Sequence, residues 1–408
     1  MDVDFLREAF YQLRRDAAPG LDGETVPSYE AHLDEHLRDL HERLRTGQYR
    51  AQPVRRVPGP GLTGWLDKAD GSQRPIGIPV LEDKIIQRAV VMLLEAVYEP
   101  VFYDFSHGFR RGHSAHQALQ ELREQCRGMN IQWVVDADVS GCFDSIEHGK
   151  LQEVIKQRVN DGGLLRLIGK WLHAGVLEGA EVSYPEQGTP QGGVISPMLA
   201  NIYLHHVLDE WFVQEVYPRL KGRAFLIRYA DDFVIACERE DDARRILAVL
   251  SKRFARYGLT IHPTKTRLVA FQPPREGAES PEEPRTFDFL GFTHYWGRSR
   301  RGQWVIKRQT ARKRLRRALK AAWDWCRQHR HLPLREQHQT LCQKLRGHYQ
   351  YYGVRCNYRM LERVYQQVER AWRFWLSRRS RRGRFSETQW AQLRQAYPLP
   401  QPRIIHCF

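Results

Sequence analysis

Two adjacent carboxylates lie inside the apolar stretch "FLIRYADDFVIAC", which runs from Phe225 to Cys237. An ionised carboxylate in a buried stretch loses its hydration and needs a counter-charge. The turn that contains Asp231 and Asp232 includes no Lys or Arg. A divalent cation bound by carboxylate oxygens would supply the missing charge. The alternative interpretation is a turn whose two aspartates face water.

A third carboxylate favours the metal-binding interpretation. The β-rich stretch 131–139 carries Asp136 and Asp138, which share one strand face because side chains alternate along a strand. Neighbouring strands lie about 4.8 Å apart, so a strand beside the 225–237 hairpin would bring three carboxylates together. Carboxylates in such an arrangement can hold two Mg²⁺ ions for in-line phosphoryl transfer. Spacing alone does not choose between Asp136 and Asp138.

Other acidic residues have simpler explanations. Asp241 and Asp242 open a predicted helix from about 241 to 257, where the helix dipole favours negative charge. Asp144 is interpreted as a helix cap, because Glu147 follows three residues later as in a capping box. These carboxylates therefore need no metal.

Positive charge is concentrated in the C-terminal quarter of the chain. Residues 297–408 contain 28 Lys and Arg against 5 Asp and Glu, whereas the first 296 residues have a net charge of −7. This asymmetry predicts a polyanionic partner, with nucleic acid as the leading candidate and a solvated helical surface as the alternative. A predicted helix in this region carries two stripes at helical spacing. The basic stripe is Arg312, Arg316 and Lys320, and the apolar stripe is Leu315, Leu319, Ala322 and Cys326.

Composition and patterning exclude several other classes of protein. No secretory signal pattern begins the sequence and no uninterrupted apolar run reaches 18 residues, so a membrane span is not expected. The seven cysteines form no C-x-x-C pair, which argues against a disulfide scaffold or a structural zinc site. A cytoplasmic protein is expected.

Several stretches resemble, in the same order, the motifs of group II intron reverse transcriptases. They are "GSQRPIGIPVLEDKIIQ", "SHGFRRGHSAHQAL", "DADVSGCFDSIEH", "GTPQGGVISPMLANIYL", "FLIRYADDFVIA", "GLTIHPTKT" and "FDFLGF", and the basic tail resembles the thumb or maturase region of these proteins. The resemblance implies an α+β right-hand polymerase, with fingers and a palm built from an antiparallel sheet flanked by helices, and a helical thumb. The expected domains are 1–60 (N-terminal extension and start of the fingers), 61–130 (fingers), 131–296 (palm, with part of the fingers around 150–200) and 297–408 (helical basic thumb or maturase domain).

The resemblance implies RNA-directed DNA synthesis, in which a DNA primer is extended with dNTPs on an RNA template. The family's catalytic position falls on Asp138, which with Asp231, Asp232 and the backbone carbonyl of Val139 would hold two Mg²⁺ ions, with Mn²⁺ as a substitute. Phe143 matches an aromatic gate that excludes a ribose 2′-hydroxyl, although it is also a plain core residue by type.

Further dNTP contacts are implied by the same resemblance. Gln191 matches a residue that touches the incoming nucleotide, and Lys68 and Arg74 match the fingers cations that grip the triphosphate. Lys265 matches a position that protonates the leaving pyrophosphate. Without the resemblance, these residues would belong to a flexible loop and a solvated hairpin.

The resemblance leaves the biological role open. Group II intron RNA is the implied partner, and the chain would act on it as a splicing maturase as well as a polymerase. One alternative is a mainly non-catalytic maturase, and another is a host-adopted reverse transcriptase in phage defence or DNA repair. Many members carry a C-terminal cysteine-bearing endonuclease that does not occur here, so DNA cleavage is not expected. The oligomeric state is not predicted.

Overall fold

The computed structural model describes residues 1–56, 65–67, 73–75, 77–178, 181–184, 187–188, 192–274, 285–379 and 385–408. The chain forms two compact units, Met1–Leu268 and Val269–Phe408. The division into fingers, palm and thumb at 60, 130 and 296 stays a prediction. No helix within the described ranges combines the length and apolar character that a membrane span requires.

The architecture is α+β. The α-helices are α1 (Val3–Tyr11), α2 (Val26–Glu30), α3 (Leu33–Arg45), α4 (Leu81–Tyr98), α5 (Ala115–Gly128), α6 (Cys142–Ser145), α7 (His148–Lys156), α8 (Gly162–Leu172), α9 (Ser196–Leu204), α10 (Glu240–Arg256), α11 (Arg312–Gln328), α12 (Leu334–Tyr352), α13 (Tyr358–Leu376) and α14 (Glu387–Ala396). After α9 the chain continues as π-helical turns at His205–Glu210 and Phe212–Val216 and a 3₁₀ turn at Tyr217–Arg219.

The strands form small, mostly antiparallel sheets. They are β1 (Val54–Arg56), β2 (Trp65–Asp67), β3 (Gln73–Pro75), β4 (Gly77–Ile78), β5 (Trp133–Ala137), β6 (Val139–Ser140), β7 (Val176–Glu178), β8 (Glu181–Ser183), β9 (Ala224–Tyr229), β10 (Asp232–Cys237), β11 (Thr260–Ile261), β12 (Arg267–Ala270), β13 (Phe287–Phe289), β14 (Phe292–Arg298) and β15 (Trp304–Thr310). The sheet orders are β4-β1-β7-β8, β12-β5-β10-β9, β11-β6, β13-β14-β15 and β2-β3.

The first unit is organised around a large apolar core beneath the β5-β10-β9 sheet. Helix α10 covers the sheet through Ile246, Leu250 and Phe254, which are buried at helical spacing. Helix α4 is buried on most of its circumference, as expected for a helix inside a large core. The apolar periodicity that predicted this helix between Leu81 and Pro100 is therefore confirmed.

The second unit contains one strand, β15, in a region where the sequence predicted helices. Strand β14 continues to Arg298 and pairs with β15 before the first helix begins at Arg312. The prediction of helices directly after Gly297 was wrong because basic composition masked a period-two pattern, in which Ile306, Arg308 and Thr310 are the buried residues of β15. The predicted apolar stripe of α11 is confirmed, since Leu315 and Cys326 lie in the core of this unit.

The predicted capping box at Asp144 and Glu147 does not form. Asp144 lies inside the short helix α6, which follows a left-handed turn at Gly141. Helix α7 begins after Glu147 without a side-chain cap. The left-handed turn at Gly141 separates β6 from α6, so the chain reverses here before α7 begins.

A buried polar cluster ties α4 and α8 to the chain that leads into β1. Tyr49 donates its hydroxyl hydrogen to the carboxylate of Asp83, and Trp171 Nε1 donates to the Tyr49 oxygen at 2.7 Å. The backbone N–H of Gln52 donates to Asp83 at 3.2 Å. Burial raises the pKa of Asp83 to about 6 because the charged carboxylate is poorly solvated there.

Asp83 should make the stability of the fold depend on pH. Its folded-state pKa lies above the unfolded value of 3.8, so the stabilisation is fully present below about pH 4 and is lost as the pH rises through 6. The amide of Asp83→Asn cannot ionise, so the stability of this variant should not fall in this way as the pH rises. The difference in unfolding free energy between wild type and variant should therefore change by about 3 kcal/mol between pH 4 and pH 7 in urea titrations.

Ser114→Asn is the matched control, because Ser114 is a helix cap whose side chain does not titrate in this range and Asn caps equally well. Its stability difference from wild type should be the same at both pH values. Parallel pH profiles for wild type and Asp83→Asn would contradict the assignment of a raised pKa to Asp83.

Candidate active site

The two adjacent aspartates lie at a tight turn between β9 and β10. Tyr229 pairs with Asp232, so Ala230 and Asp231 form the two-residue loop of the hairpin. Asp231 is half-buried and Asp232 is exposed, whereas most side chains of the two strands are buried. The predicted hairpin is therefore confirmed, and its charged end lies at the margin of an apolar sheet.

The first residue of the loop has a backbone conformation that residues other than glycine rarely adopt. Ala230 has a φ of 57°, in the left-handed region. Two-residue hairpins with a positive φ at this position usually carry glycine there. A non-glycine residue held in such a region costs of order 1–3 kcal/mol and persists only where the surroundings enforce it. The backbone directly before Asp231 is therefore under constraint.

The strand register brings the third carboxylate to this turn. Strand β5 pairs antiparallel with β10, with Ala137 opposite Phe233 and Asp136 opposite Val234. Continued by one step beyond these pairs, the register would set Asp138 opposite Asp232. Residues opposite each other in antiparallel strands have Cα atoms about 4.5–5.5 Å apart. The register thus leads the chain to Asp138 beside the hairpin end that carries Asp231 and Asp232.

Asp136 and Asp138 each have a basic partner, which distinguishes their surroundings. Arg267 Nε contacts Asp136 Oδ2 at 3.1 Å, away from the turn. Lys265 Nζ contacts Asp138 Oδ2 at 3.1 Å, and both of these side chains are partly exposed, 52% and 38%. A cation, here an ammonium group, therefore already lies against the carboxylate next to the hairpin turn.

The segment that carries Lys265 also fixes the backbone of Asp138. His262 donates its backbone N–H to the Asp138 carbonyl at 2.7 Å, and Thr266 Oγ1 accepts from the Asp138 N–H at 3.3 Å. Sequence reasoning missed both residues. His262 directly precedes the "PTKT" stretch and Thr266 is its last residue, and this position was the signal that would have found them.

The environment of the sheet explains why the carboxylates lie at its margin. At the opposite end of β10, burial raises the pKa of the Cys237 thiol to about 12. The sheet interior therefore disfavours charge strongly. Carboxylates at the exposed end of the strands avoid that penalty while their backbone stays anchored in the core.

The carboxylates alone do not form a complete metal-coordination site. Within the described ranges, no three His, Cys, Asp or Glu side chains approach one another as a metal-binding group. The donor set nevertheless consists of oxygens, which suits Mg²⁺ and Mn²⁺. Such ions are usually held by one or two carboxylates together with substrate phosphates. The residues therefore fit a divalent ion that arrives with its substrate.

Two residues that follow Asp138, Val139 and Phe143, were also predicted to belong to the site. Val139 lies in β6 and pairs with Ile261 of β11. Phe143 lies in α6 and is half-buried, packing against the core with part of its ring still exposed. Core packing and a role as a gate are therefore compatible for this side chain.

The other predicted nucleotide contacts are not placed. Lys68 and Gln191 lie outside the described residues. Arg74 lies in β3, which pairs with β2 as the predicted hairpin requires, but its side chain is not described. The predicted basic stripe of the second unit is exposed on α11, and Arg312, Arg316 and Lys320 have no ion pair with any described residue.

Comparison with known proteins identifies the family. The family described as Reverse transcriptase (RNA-dependent DNA polymerase) matches residues 66–294, more than half of the chain. This match accounts for the α+β architecture as the right-hand polymerase fold.

Individual relatives refine this assignment. The Group II intron-encoded protein LtrA of Lactococcus lactis subsp. cremoris is 42% identical over 182 residues, which cover 44% of this chain and 29% of LtrA. Protein YkfC of Escherichia coli (strain K12) is 33% identical over 245 residues, 53% of this chain and 62% of YkfC. Nuclear intron maturase 4, mitochondrial, of Arabidopsis thaliana is 28% identical over 144 residues, 35% of this chain and 18% of that protein.

The matched part thus spans less than two thirds of each of these relatives. The family match nevertheless covers residues 66–294, the part of the chain that contains Asp138, Asp231 and Asp232. The chain belongs to the reverse transcriptase (RNA-dependent DNA polymerase) family, and its matched part is similar to a group II intron-encoded protein.

Proposed function

We propose that this chain is an RNA-directed DNA polymerase that extends a DNA primer with dNTPs on an RNA template. The observation that carries the proposal is the β5–β10 register, in which Ala137 pairs with Phe233, so that the chain leaves β5 at Asp138 beside the constrained hairpin turn. A protein that only bound RNA would not need three carboxylates at one margin of a sheet. The reaction is attack of the primer 3′-hydroxyl on the α-phosphate of the dNTP.

The residues that would hold the metal ions are Asp138, Asp231, Asp232 and the carbonyl of Val139. The family generally uses divalent metal ions, and the oxygen donors favour Mg²⁺, with Mn²⁺ as a substitute. Two such ions, when bound, stabilise the attacking and leaving oxygens of an in-line displacement. The protein supplies carboxylates whose backbone is fixed by strand pairing, so they do not need to reorganise during the reaction.

Lys265 has two roles in this proposal. Its ammonium group lies 3.1 Å from the Asp138 carboxylate and offsets that negative charge. During the reaction it donates a proton to the leaving pyrophosphate, for which its exposed position next to the carboxylate is suitable. The contact with Asp138 thus keeps a proton donor beside the reaction centre.

Selection of the nucleotide falls to residues around the carboxylates. The part of the Phe143 ring that stays exposed would pack beneath the sugar and leave no room for a 2′-hydroxyl. Gln191 would contact the incoming nucleotide, and Lys68 and Arg74 would grip its triphosphate, since guanidinium and ammonium groups bind phosphate oxygens. These three contacts rest on the matching motifs alone.

A second activity, binding of intron RNA as a maturase, is favoured by the charge of the C-terminal region. Residues 297–408 carry a net charge of +23, and α11 exposes Arg312, Arg316 and Lys320 along one face. Basic side chains at this spacing contact successive phosphates while the apolar face of the helix packs in the core. Group II intron RNA is the proposed partner.

Asp231→Ala should reduce primer extension on an RNA template by about 10³-fold or more, because bound metal ions contribute several kcal/mol to the transition state. Asp241→Ala is the matched control, since Asp241 is an exposed helix residue paired with Arg239. Normal synthesis by Asp231→Ala would show that the site assignment is wrong.

Phe143→Ala should admit ribonucleotides. The ratio of kcat/KM for dNTP to that for the matching rNTP should fall about tenfold or more, since removing the ring opens space for the 2′-hydroxyl. Tyr11→Ala removes an exposed aromatic ring from α1 and should leave the ratio unchanged. Unaltered selectivity in Phe143→Ala would mean that this ring is core packing only.

Replacing Arg312, Arg316 and Lys320 together by alanine should weaken binding to structured intron RNA and lower its salt dependence. The slope of log K against log salt should shrink by about 2–3, because about three counterions are no longer released. The control replaces Arg245, Lys252 and Arg256, three exposed basic residues on α10. Equal slopes for the two triple variants would show that α11 is not part of the RNA-binding surface.

A further inference from the structure

Four residues that the sequence motifs did not assign to the reaction contact the turn before Asp231 or one another. They belong to α9, the π-helical turn that follows it, β9 and the loop after residue 105. We call these four residues, Asn201, Asp209, Arg228 and Gly108, the hairpin brace.

Arg228 is the centre of the hairpin brace. Its side chain is fully buried, and its charge is balanced by Asp209, which is equally buried. Arg228 Nε and Nη2 donate to the two carboxylate oxygens of Asp209 at 2.8 and 2.5 Å. Nη1 donates to Asn201 Oδ1 at 2.9 Å and to the backbone carbonyl of Ala230 at 3.1 Å. The planar guanidinium therefore links the buried pair directly to the left-handed residue of the turn.

The π-helical turn at His205–Glu210 allows Asn201 and Asp209, the two side chains that bind Arg228, to face the same side of the helix. In a regular α-helix, positions eight residues apart differ by about 80° around the axis, since each residue turns the chain by about 100°. A π-helical turn is wider and advances by a smaller angle per residue. Asp209 is thereby rotated toward the face of Asn201, and both reach the same guanidinium.

Gly108 supports the turn from its other side. A Cβ atom at this position would lie 2.1 Å from the backbone nitrogen of Ala230, so only glycine fits. The carbonyl of Gly108 accepts from Asn201 Nδ2 at 2.6 Å. The preceding residues pair with the end of β9, since Arg228 N–H donates to the Phe105 carbonyl and His107 N–H donates to the Arg228 carbonyl.

We propose that the hairpin brace is a positioning device that fixes Ala230 in its left-handed conformation and so sets the direction of the Asp231 carboxylate. The inference rests on the proposed role of Asp231 as a metal ligand. Its members touch neither substrate nor ions, and they act through the backbone of the turn. A loosened brace leaves the protein folded and able to bind RNA but misplaces one carboxylate.

Gly108→Ala tests the proposal, because its methyl group must displace the Ala230 backbone. Gly149→Ala is the matched control, since a Cβ there meets no atom within 4 Å. In primer extension, kcat of Gly108→Ala per folded molecule should fall about 10²-fold, as expected for a misplacement of about 1 Å. The Mn²⁺ concentration for half-maximal rate should rise, while RNA affinity stays that of Gly149→Ala.

Arg228→Lys is the second variant, for the case that Gly108→Ala does not fold. Lysine keeps a positive charge beside Asp209 but lacks the planar fork that also reaches Ala230 and Asn201. It should show the same fall in kcat and the same shift in Mn²⁺ dependence. A folded variant of either kind with the kcat and Mn²⁺ dependence of Gly149→Ala would overturn the proposal, as would a loss of rate with unchanged Mn²⁺ dependence.

Direct Mn²⁺ binding separates this inference from the proposed function. If wild type synthesises no DNA, the proposed polymerase activity fails, and Mn²⁺ binding measured by electron paramagnetic resonance still tests the brace. Weaker Mn²⁺ binding by Gly108→Ala or Arg228→Lys than by Gly149→Ala would support it. Equal binding by all three proteins would overturn it.

Discussion

The candidate site depends on one electrostatic constraint, the repulsion among carboxylates placed at the margin of an apolar sheet. Carboxylates that share one margin of a sheet repel each other, and the repulsion grows as they come closer. Strand pairing between β5 and β10 enforces this proximity, because sliding the register would bury charge and expose the core. Lys265 offsets part of the repulsion at Asp138.

The rest of the first unit supplies the rigidity that such proximity requires. Helix α10 and the core beneath the sheet fix the strands, and residues 262–266 fix the backbone of Asp138 from the opposite side. A buried ion pair is costly to build, so the pair of Arg228 and Asp209 is poorly explained by stability alone. Its contact with the Ala230 carbonyl gives it a conformational role.

Helices and strands with a regular apolar spacing in the sequence could be predicted from that spacing. Apolar periodicity predicted α4 and α10, and two apolar runs around a charged turn predicted β9 and β10. Strand β15 was not predicted, because two of the residues on its buried face, Arg308 and Thr310, are polar. Polar residues usually indicate an exposed position.

Contacts between distant parts of the chain could not be predicted from spacing. The turn "AD" lacks the glycine that usually marks a positive φ, so the conformation of Ala230 had no signal. The burial of Arg228 depends on Asp209, whose direction is set by a π-helical turn that no residue type encodes. The choice of Asp138 over Asp136 came from the family resemblance, and the register shows why that position lies at the turn.

The ion pair of Lys265 and Asp138 has a consequence for how the protein is assembled. Domains that use a metal as part of their core remain unfolded until the metal arrives. Here the Lys265 ammonium balances the Asp138 carboxylate from within the same chain, so this part of the fold supplies its own counter-charge.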